Sequence, residues 1–414
     1  MTASRACCSV VGVAFLLAAI AAAGPDPLPR ATPEAVGLAP VRLAEATALL
    51  NRFVAERKIA GAVAAVARHG KLAYLEAVGL QDLETRAAMT DRSIFRIYSM
   101  TKSITAVAVM MLYEQGRFRL DDPVSKYLPE FKDVVVASSS GDGSTRRPSR
   151  EITVEDLLVH TSGLNHRTSD EYRRAQVRSR TMGLPQFVAN IVRVPLMEDP
   201  GTRYRYSESP TVLGRLVEIW SGQRFDVFLK ARVLDPLGMV DTEFSVGPAA
   251  RARLTTVYTP APGGALTSIE IEDLPFTERP ALLEGAVGLV STVPDYLRFS
   301  QMLLNKGVLD GVRLLRADTV ETMTANRLPE SILKARGGTM GWGIANVNVV
   351  LDPAAVSYPA NRGEYGWDGS AGTIFWVDPG LEMVTLLMTQ SAPANPDALR
   401  QRFKTLVQQS VIDQ

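Results

Sequence analysis

The sequence predicts an α+β fold in which strands near both ends of the chain form one antiparallel sheet flanked by helices, with a mainly helical part inserted between them. Strand patterns occupy residues 62–78 near the start and 344–389 near the end. The long periodic segments between them mostly have helical spacing. We therefore expect residues 30–98 and 285–414 to form a sheet domain and residues 99–284 to form a mainly helical domain.

Composition limits the possible functions. The chain has 414 residues, of which 46% are hydrophobic and 21% charged, which is ample for a large core. A net charge of +1 without a dominant basic cluster gives little support to nucleic-acid binding. The histidines His69, His160 and His166 form no recognisable ligand set, so we expect no metal and no cofactor. The cysteines Cys7 and Cys8 both precede the apolar N-terminal run, so the mature protein would have no disulfide.

The N-terminus has the pattern of a secretory signal. Val10 to Ala23 is almost wholly apolar, Arg5 precedes it, and Ala21 to Gly24 offers small residues for cleavage. The run is too short to span a bilayer comfortably. We expect residues 1–23 to be removed, leaving a secreted or periplasmic protein without stable membrane insertion. An uncleaved anchor or a wrongly chosen start codon is the alternative.

The first elements are predicted by apolar spacing. Leu43, Ala46, Leu50 and neighbouring apolar residues predict a helix over 41–56. Two strand patterns follow at 62–67 and 72–78, with His69 in the turn between them.

The next segment carries the most informative motif. Ser99 and Lys102 form an S-x-x-K pair, which is typical of one class of serine acyl-transfer enzymes. Because residues i and i+3 share one face of a helix, a helix that begins near Ser99 places the amine beside the hydroxyl. The segment stays apolar nearly all round until Gly116, so the helix is expected to be buried and to end there. A serine in its first turn also lies at the positive end of the helix dipole.

A second S-x-x-K pair, Ser331 and Lys334, has no long apolar helix behind it. We expect these two residues to be solvated polar side chains.

Capping and turn signals predict the later elements. Thr153 and Asp156 suggest a capping box for a short helix that ends at His160. His160 and Ser162 could suggest a catalytic triad, but we favour a role in tying down the helix end. The remaining predicted elements are helices after Ser207, after Thr292 and after Asn395, and strands at 344–350, 373–377 and 383–389.

Taken in order, these motifs resemble the serine β-lactamase and penicillin-binding superfamily, and most closely the β-lactamase-like family VIII carboxylesterases. Ser99 and Lys102 match the first motif, and Tyr206-Ser207-Glu208 matches a second motif that begins with tyrosine. Trp367-Asp368-Gly369 matches the third, which is K-T-G in penicillin-binding enzymes and often W-G-G in the esterases. The resemblance covers nearly the whole mature chain. It implies a β-lactamase/transpeptidase-like fold with the active site at the interface of the two domains.

The resemblance also implies roles. Ser99 would be the nucleophile, and either Lys102 or Tyr206 would be the base that removes its proton. Lys102 can serve only if burial or a neighbouring positive charge lowers its pKa. The backbone N–H groups of Ser99 and Ser370 would form the oxyanion hole.

Four residues are expected to contact the substrate, namely Tyr98, Trp367, Asp368 and Gly369. Trp367 offers an apolar surface where penicillin-recognising enzymes have a cation, which suits a neutral acyl ester.

Glu208 departs from the family pattern, because penicillin-interacting relatives have an asparagine there. A carboxylate near Lys102 would raise the pKa of the amine. We therefore expect Glu208 to point elsewhere or to pair with Arg203 or Arg205.

These arguments predict a carboxylesterase that acts on small-molecule esters with short-to-medium acyl groups through an acyl-Ser99 intermediate. The chain has no G-x-S-x-G, which excludes the nucleophile elbow of α/β-hydrolases. One alternative is a β-lactamase or D-alanyl-D-alanine carboxypeptidase of the same fold, and weak β-lactamase activity could accompany the esterase. The other is a catalytically silent binding module. The sequence predicts no oligomeric state.

Overall fold

The computed structural model describes residues 27–138 and 143–412. An eight-stranded antiparallel sheet lies at its centre, and helices pack on both faces. Its strands come from both ends of the chain, so the predicted fold class is confirmed. The predicted signal peptide, residues 1–23, lies outside the described residues. The division into a sheet domain and a helical domain stays a prediction.

The helices are α1 (Pro40–Ala55), α2 (Thr101–Glu114), α3 (Val154–Leu158), α4 (Asp170–Arg174), α5 (Leu184–Ile191), α6 (Ser209–Ser221), α7 (Phe225–Leu229), α8 (Val293–Leu304), α9 (Ala317–Thr324), α10 (Glu330–Ala335) and α11 (Leu399–Gln408). The strands of the central sheet are β1 (Gly61–Arg68), β2 (Lys71–Asp82), β3 (Ala87–Ala88), β12 (Met340–Gly343), β13 (Val347–Val350), β14 (Tyr365–Asp368), β15 (Thr373–Asp378) and β16 (Met383–Thr389). They run in the order β12-β13-β14-β15-β16-β1-β2-β3. The remaining strands are β4 (Phe95–Arg96), β5 (Val136–Ala137), β6 (Thr145–Arg146), β7 (Tyr258–Pro260), β8 (Leu266–Ser268), β9 (Val290–Ser291), β10 (Val308–Leu309) and β11 (Val312–Arg313). They form two-stranded sheets that pair β4 with β9, β5 with β6, β7 with β8 and β10 with β11.

Strand β1 joins the two ends of the chain. It pairs with β2 on one side and with β16 on the other, in a register that runs from Ala62 opposite Thr389 to Arg68 opposite Met383. All eight of its residues are buried. A strand covered on both faces is expected to be a continuous run of small and apolar residues, and β1 has the sequence GAVAAVAR.

The two faces of the sheet contact different helices. Directly opposed residues of antiparallel strands share a face. Phe375 and Val377 of β15 face the core that contains α2 and α8, which we call the front face. Ile374 and Trp376 face the core formed with α1 and α11, which we call the reverse face.

Every residue of helix α2 from Thr101 to Leu112 is buried, as predicted. It begins at Thr101, and a 3-10 turn over Tyr98–Met100 precedes it. Ser99 therefore lies in that turn rather than in the α-helix itself. The hydroxyl of Tyr296 in α8 donates to the Met100 carbonyl at 2.9 Å, which fixes the end of the turn.

Other local predictions differ in accuracy. The capping box of α3 is confirmed, because the Thr153 and Asp156 side chains each bond the other's backbone N–H. The strand predicted at 344–350 begins only at Val347, since 344–346 forms the turn of a hairpin with β12. Strand β14 was not predicted, because four residues that include a glycine carry little periodicity.

Within the described ranges, no helix is long and apolar enough to cross a membrane. The same residues contain no group of three or more histidine, cysteine or acidic side chains that could hold a metal ion.

Candidate active site

The turn that carries Ser99 is conformationally unusual. Tyr98 has a φ of 39°, a region that non-glycine residues rarely adopt. Its side chain is fully buried, edge-on to Phe276 with 6.0 Å between the ring centroids. Met100 is buried as well, whereas Ser99 between them is partly exposed. Ser99 is therefore accessible, while the buried side chains of Tyr98 and Met100 on either side of it hold the turn in the core.

Lys102 lies within reach of that hydroxyl. Its Nζ is 3.2 Å from Ser99 Oγ and 2.9 Å from the carbonyl oxygen of Ala286. The side chain is 1% exposed, and this burial lowers the pKa of Lys102 to about 7. The positive charge of Arg167 contributes to this lowering, whereas the carboxylate of Glu208 opposes it.

Tyr206 completes the group. Its ring centroid lies 4.5 Å from Lys102 Nζ. Its hydroxyl accepts a hydrogen bond of 3.0 Å from Trp367 Nε1. Burial raises the pKa of Tyr206 well above its usual range, and the neighbouring Ser99 and Trp367 side chains partly oppose this effect. The structure therefore brings Ser99, Lys102 and Tyr206 together, and Trp367 contacts the phenol directly.

The segment that carries Tyr206 is held by the residues that follow α3. The N–H of Ser207 donates to His160 Nδ1 at 3.2 Å, and the N–H of Arg205 donates to the His160 carbonyl at 2.8 Å. The hydroxyls of Ser162 and Ser209 lie 2.9 Å apart. Burial keeps the pKa of His160 well below its usual range, so the ring stays neutral with Nδ1 as an acceptor. His160 and Ser162 thus bind the Tyr206 segment and do not form a triad with each other.

The third motif is divided between the two faces of the sheet. Trp367 is opposite Phe375 and lies on the front face beside Tyr206. Asp368 is opposite Ile374, and its carboxylate forms an ion pair with Arg400 of α11 on the reverse face. The side chain expected to contact substrate at position 368 is therefore on the far side of the sheet from Tyr206.

The turn at residues 369–372 lies directly against the Ser99 turn. A Cβ on Gly369 would be 2.5 Å from the Ile97 carbonyl oxygen and 2.3 Å from Thr373 Oγ1, so only glycine fits. Within the described ranges, neither the N–H of Ser99 nor that of Ser370 has a hydrogen-bond acceptor. Two free donors are thus available where the sequence predicts the oxyanion hole.

The expected pairing of Glu208 with Arg203 or Arg205 is wrong. Arg205 forms an ion pair with Glu198, and Arg203 lies 4.0 Å from that same carboxylate. Glu208 is 1% exposed, and its charge acts on Lys102. Glu198 is already close to both arginines in the chain segment before Tyr206, so Glu208 has no arginine partner left there. Glu208 Oε2 instead accepts a hydrogen bond from Thr211 Oγ1 at 3.1 Å, so the carboxylate points elsewhere while its charge still raises the pKa of Lys102.

Sequence reasoning missed three contributors to this site. The Ala286 carbonyl contacts Lys102 across 184 residues, and the Arg400 guanidinium makes its contacts across 27 to 32 residues, for which no local motif exists. His160 was noted in the sequence, but its contact with Ser207 spans 47 residues. A cavity of about 530 Å³ lies on the reverse face beside Trp376 and Arg400, and Ser99, Lys102 and Tyr206 do not line it.

Comparison with known proteins identifies relatives with the same architecture. The profile of the Beta-lactamase family matches residues 46–409. Esterase EstB of Burkholderia gladioli is 31% identical over 368 residues, which cover 83% of this chain and 89% of that protein. Penicillin-binding protein 4 of Amycolatopsis lactamdurans is 31% identical over 349 residues, which cover 82% of this chain and 83% of that protein.

Among solved structures, EstCE1, described as a hydrolase with promiscuous acyltransferase activity, matches with a TM-score of 0.77 and 25% identity. The match covers 90% of this chain and 98% of EstCE1. The superfamily resemblance predicted from the motifs is confirmed. The family profile matches most of the chain, and EstB aligns with the chain along most of its own length. The chain therefore belongs to the Beta-lactamase family.

Proposed function

We propose that the protein is a carboxylesterase that hydrolyses small esters with short-to-medium acyl groups through an acyl-Ser99 intermediate. The observation that carries this proposal is the 3.2 Å contact between Lys102 Nζ and Ser99 Oγ, combined with a pKa of about 7 for the lysine. At neutral pH a large fraction of the amine is uncharged, so it can accept the proton of the serine hydroxyl.

Acylation then follows from the geometry. Lys102 takes the Ser99 proton while the serine oxygen attacks the ester carbonyl carbon. The carbonyl oxygen becomes negatively charged, and the free N–H groups of Ser99 and Ser370 are suited to bind it. Collapse of this intermediate breaks the bond to the alcohol oxygen, which takes a proton from Lys102 or Tyr206. The alcohol leaves and the acyl group stays on Ser99.

Deacylation needs an activated water. Burial keeps Tyr206 in its protonated form, because the pKa of its phenol is well above the usual range. This favours Lys102 as the base in both steps and leaves Tyr206 as a hydrogen-bond donor and proton relay. Water attacks the acyl carbon as its proton passes to Lys102. Ser99 leaves with a returned proton, and the carboxylic acid is released.

The surroundings of Tyr206 support an uncharged substrate. The ring of Trp367 lies 5.3 Å from that of Tyr206, and the ring of His166 stacks on Tyr206 with 5.7 Å between the centroids. Burial lowers the pKa of His166 to about 4, so its ring is neutral at neutral pH. Arg400 is engaged with Asp368 on the reverse face and cannot replace the cation of a K-T-G motif. Two of the relatives, EstB and EstCE1, are named as an esterase and a hydrolase.

The decisive experiment is labelling of the purified protein with a fluorophosphonate probe, together with hydrolysis of p-nitrophenyl butyrate. Ser99→Ala should abolish both the labelling and the hydrolysis. Ser331→Ala is the matched control, because it removes the serine of the second S-x-x-K pair, which is exposed on α10. It should leave both unchanged. An unlabelled wild-type protein would favour the catalytically silent binding module.

A second assay separates the esterase from its alternatives. The similarity to penicillin-binding protein 4 keeps β-lactams and D-alanyl-D-alanine peptides as candidate substrates. We expect kcat/KM for p-nitrophenyl butyrate to exceed that for nitrocefin and for a D-alanyl-D-alanine peptide. A large preference for either of the latter two would replace the proposed activity.

A further inference from the structure

A single arginine on the reverse face holds the turn that carries the Ser370 N–H. One guanidinium nitrogen of Arg400, Nη1, pairs with the Asp368 carboxylate. The other, Nη2, donates to the carbonyl oxygens of Gly369 at 3.0 Å and Thr373 at 3.3 Å. Arg400 thus contacts the last residue of β14, the first residue of the 369–372 turn and the first residue of β15.

Arg400 is itself firmly held. The residue is 8% exposed, and its backbone N–H donates to Asn395 Oδ1 at 2.9 Å. A buried guanidinium with several charge-assisted hydrogen bonds has a fixed geometry. The turn cannot move relative to α11 without breaking these bonds.

On its other side, the 369–372 turn packs closely against the chain segment that leads to Ser99. Position 369 has no room for a Cβ beside the Ile97 carbonyl, and Ile97 lies two residues before Ser99. Gln390 Nε2 donates to the carbonyls of Arg96 at 3.2 Å and Ala371 at 3.4 Å, linking the far end of the turn to the strand before Ser99. The distance between the N–H groups of Ser99 and Ser370 therefore depends on the position of the 369–372 turn, which Arg400 holds by its hydrogen bonds from the reverse face.

We infer that Arg400 is a positioning residue, and that its ion pair with Asp368 sets the oxyanion hole from the opposite face of the sheet. The inference rests on the proposed function and deepens it, because it gives the unusual aspartate of the third motif a task. Asp368 orients Arg400, and Arg400 seats the turn, without either side chain touching the substrate.

The test compares Arg400→Gln with the wild type in the full-length protein. We expect kcat for p-nitrophenyl butyrate to fall about 10- to 100-fold with little change in KM, since a misplaced donor weakens only the transition state. Affinity for phenylboronic acid, which forms a tetrahedral adduct on serine, should fall in parallel. Arg400→Lys, which keeps a cation but not the fork of donors, should restore part of the loss. Arg402→Gln on the exposed side of the same helix should change nothing.

Hydrogen–deuterium exchange of a peptide that covers 366–376 makes the test independent of activity. Exchange in this peptide should rise in Arg400→Gln. It should also rise in Asp368→Asn, which keeps the size of the side chain and serves as the second variant if Arg400→Gln folds poorly. Unchanged exchange in both folded variants would overturn the inference, as would wild-type kcat and boronate affinity. Failure of the proposed function has a different signature, because the wild type would then hydrolyse no ester while the exchange difference persisted.

Discussion

At the scale of single residues, the chemistry depends on how the charge of Lys102 is balanced. Burial is the largest influence and lowers its pKa, and Arg167 acts in the same direction. Glu208 opposes them and keeps the pKa near 7 rather than lower. In the proposed mechanism, the carboxylate of Glu208 therefore raises the pH at which the amine becomes a base.

This balance predicts the pH dependence. Activity should rise with pH through about 7, because only the neutral amine accepts the Ser99 proton. Glu208→Gln removes the carboxylate that favours the charged amine, so the pKa of Lys102 should fall and the rise in kcat/KM should move to lower pH. A pH–rate profile with p-nitrophenyl butyrate measures this shift. Glu321→Gln, at an exposed carboxylate paired with Lys306, is the control. A shift to higher pH would contradict the assignment of the base.

Trp367 has a role that composition could not indicate. Its indole N–H donates to the hydroxyl of Tyr206, so it acts on the phenol as well as offering an apolar wall. Trp367→Phe keeps most of that wall and removes the donor. A lost hydrogen bond of about 0.5–1.5 kcal/mol corresponds to a fall in kcat of up to about tenfold.

The measurement for Trp367→Phe is steady-state kinetics with a short-chain ester, where KM should change little. Trp376→Phe is the matched control, since Trp376 lies on the same hairpin but on the reverse face. If Trp367→Phe raised KM and left kcat intact, the indole would be a binding surface only.

At the scale of elements, the site is assembled where α2, α6 and the segment 284–286 meet. The Gly285 carbonyl accepts a hydrogen bond from Thr105 Oγ1 at 2.8 Å, and the Ala286 carbonyl accepts one from Lys102 Nζ. Gly285 also abuts the start of α6, where its missing Cβ would be 2.3 Å from the Pro210 carbonyl oxygen. Close approach at this point is what brings the lysine of α2 and the tyrosine before α6 to one place.

Gly285→Ala should therefore damage both stability and catalysis. Overpacking of this kind costs about 1–3 kcal/mol, and the displaced segment would withdraw the Ala286 carbonyl from Lys102. Urea unfolding and kcat/KM measure the two effects. Gly247→Ala is the matched control, because a Cβ there meets nothing within 4 Å and its φ is −65°. Equal behaviour of the two variants would refute this account.

Sequence reasoning reached what is local and missed what is assembled over distance. Helix α2, the capping box of Thr153 and the β1–β2 hairpin follow from spacing and turn residues within a dozen positions. The family motifs also brought forward Ser99, Lys102 and Tyr206, which the fold places together. The partner of Asp368 was out of reach, because strand alternation sends that side chain to the opposite face, where a helix from the chain end supplies Arg400. The arginine pairing expected for Glu208 was wrong because Arg203 and Arg205 already lie beside Glu198.

At the scale of the whole molecule, the two chain ends stabilise each other. Helices α1 and α11 pack together on the reverse face, where Phe53, Tyr74 and Phe403 belong to one core. Strand β1 pairs with β16 along seven residue pairs. The N-terminal and C-terminal parts therefore cannot unfold separately without exposing the middle of the sheet.

Phe403→Ala tests this dependence in the core of the reverse face. Phe403 is fully buried, so its truncation should cost about 3–5 kcal/mol of the free energy of unfolding. Because both chain ends share this core, tryptophan fluorescence and esterase activity should be lost at the same, lower urea concentration. The folded variant should keep its wild-type kcat at low urea. Val41→Ala on α1, where the side chain is 64% exposed, should leave the midpoint unchanged. Loss of activity well before the fluorescence change would mean that the inserted helical part unfolds on its own.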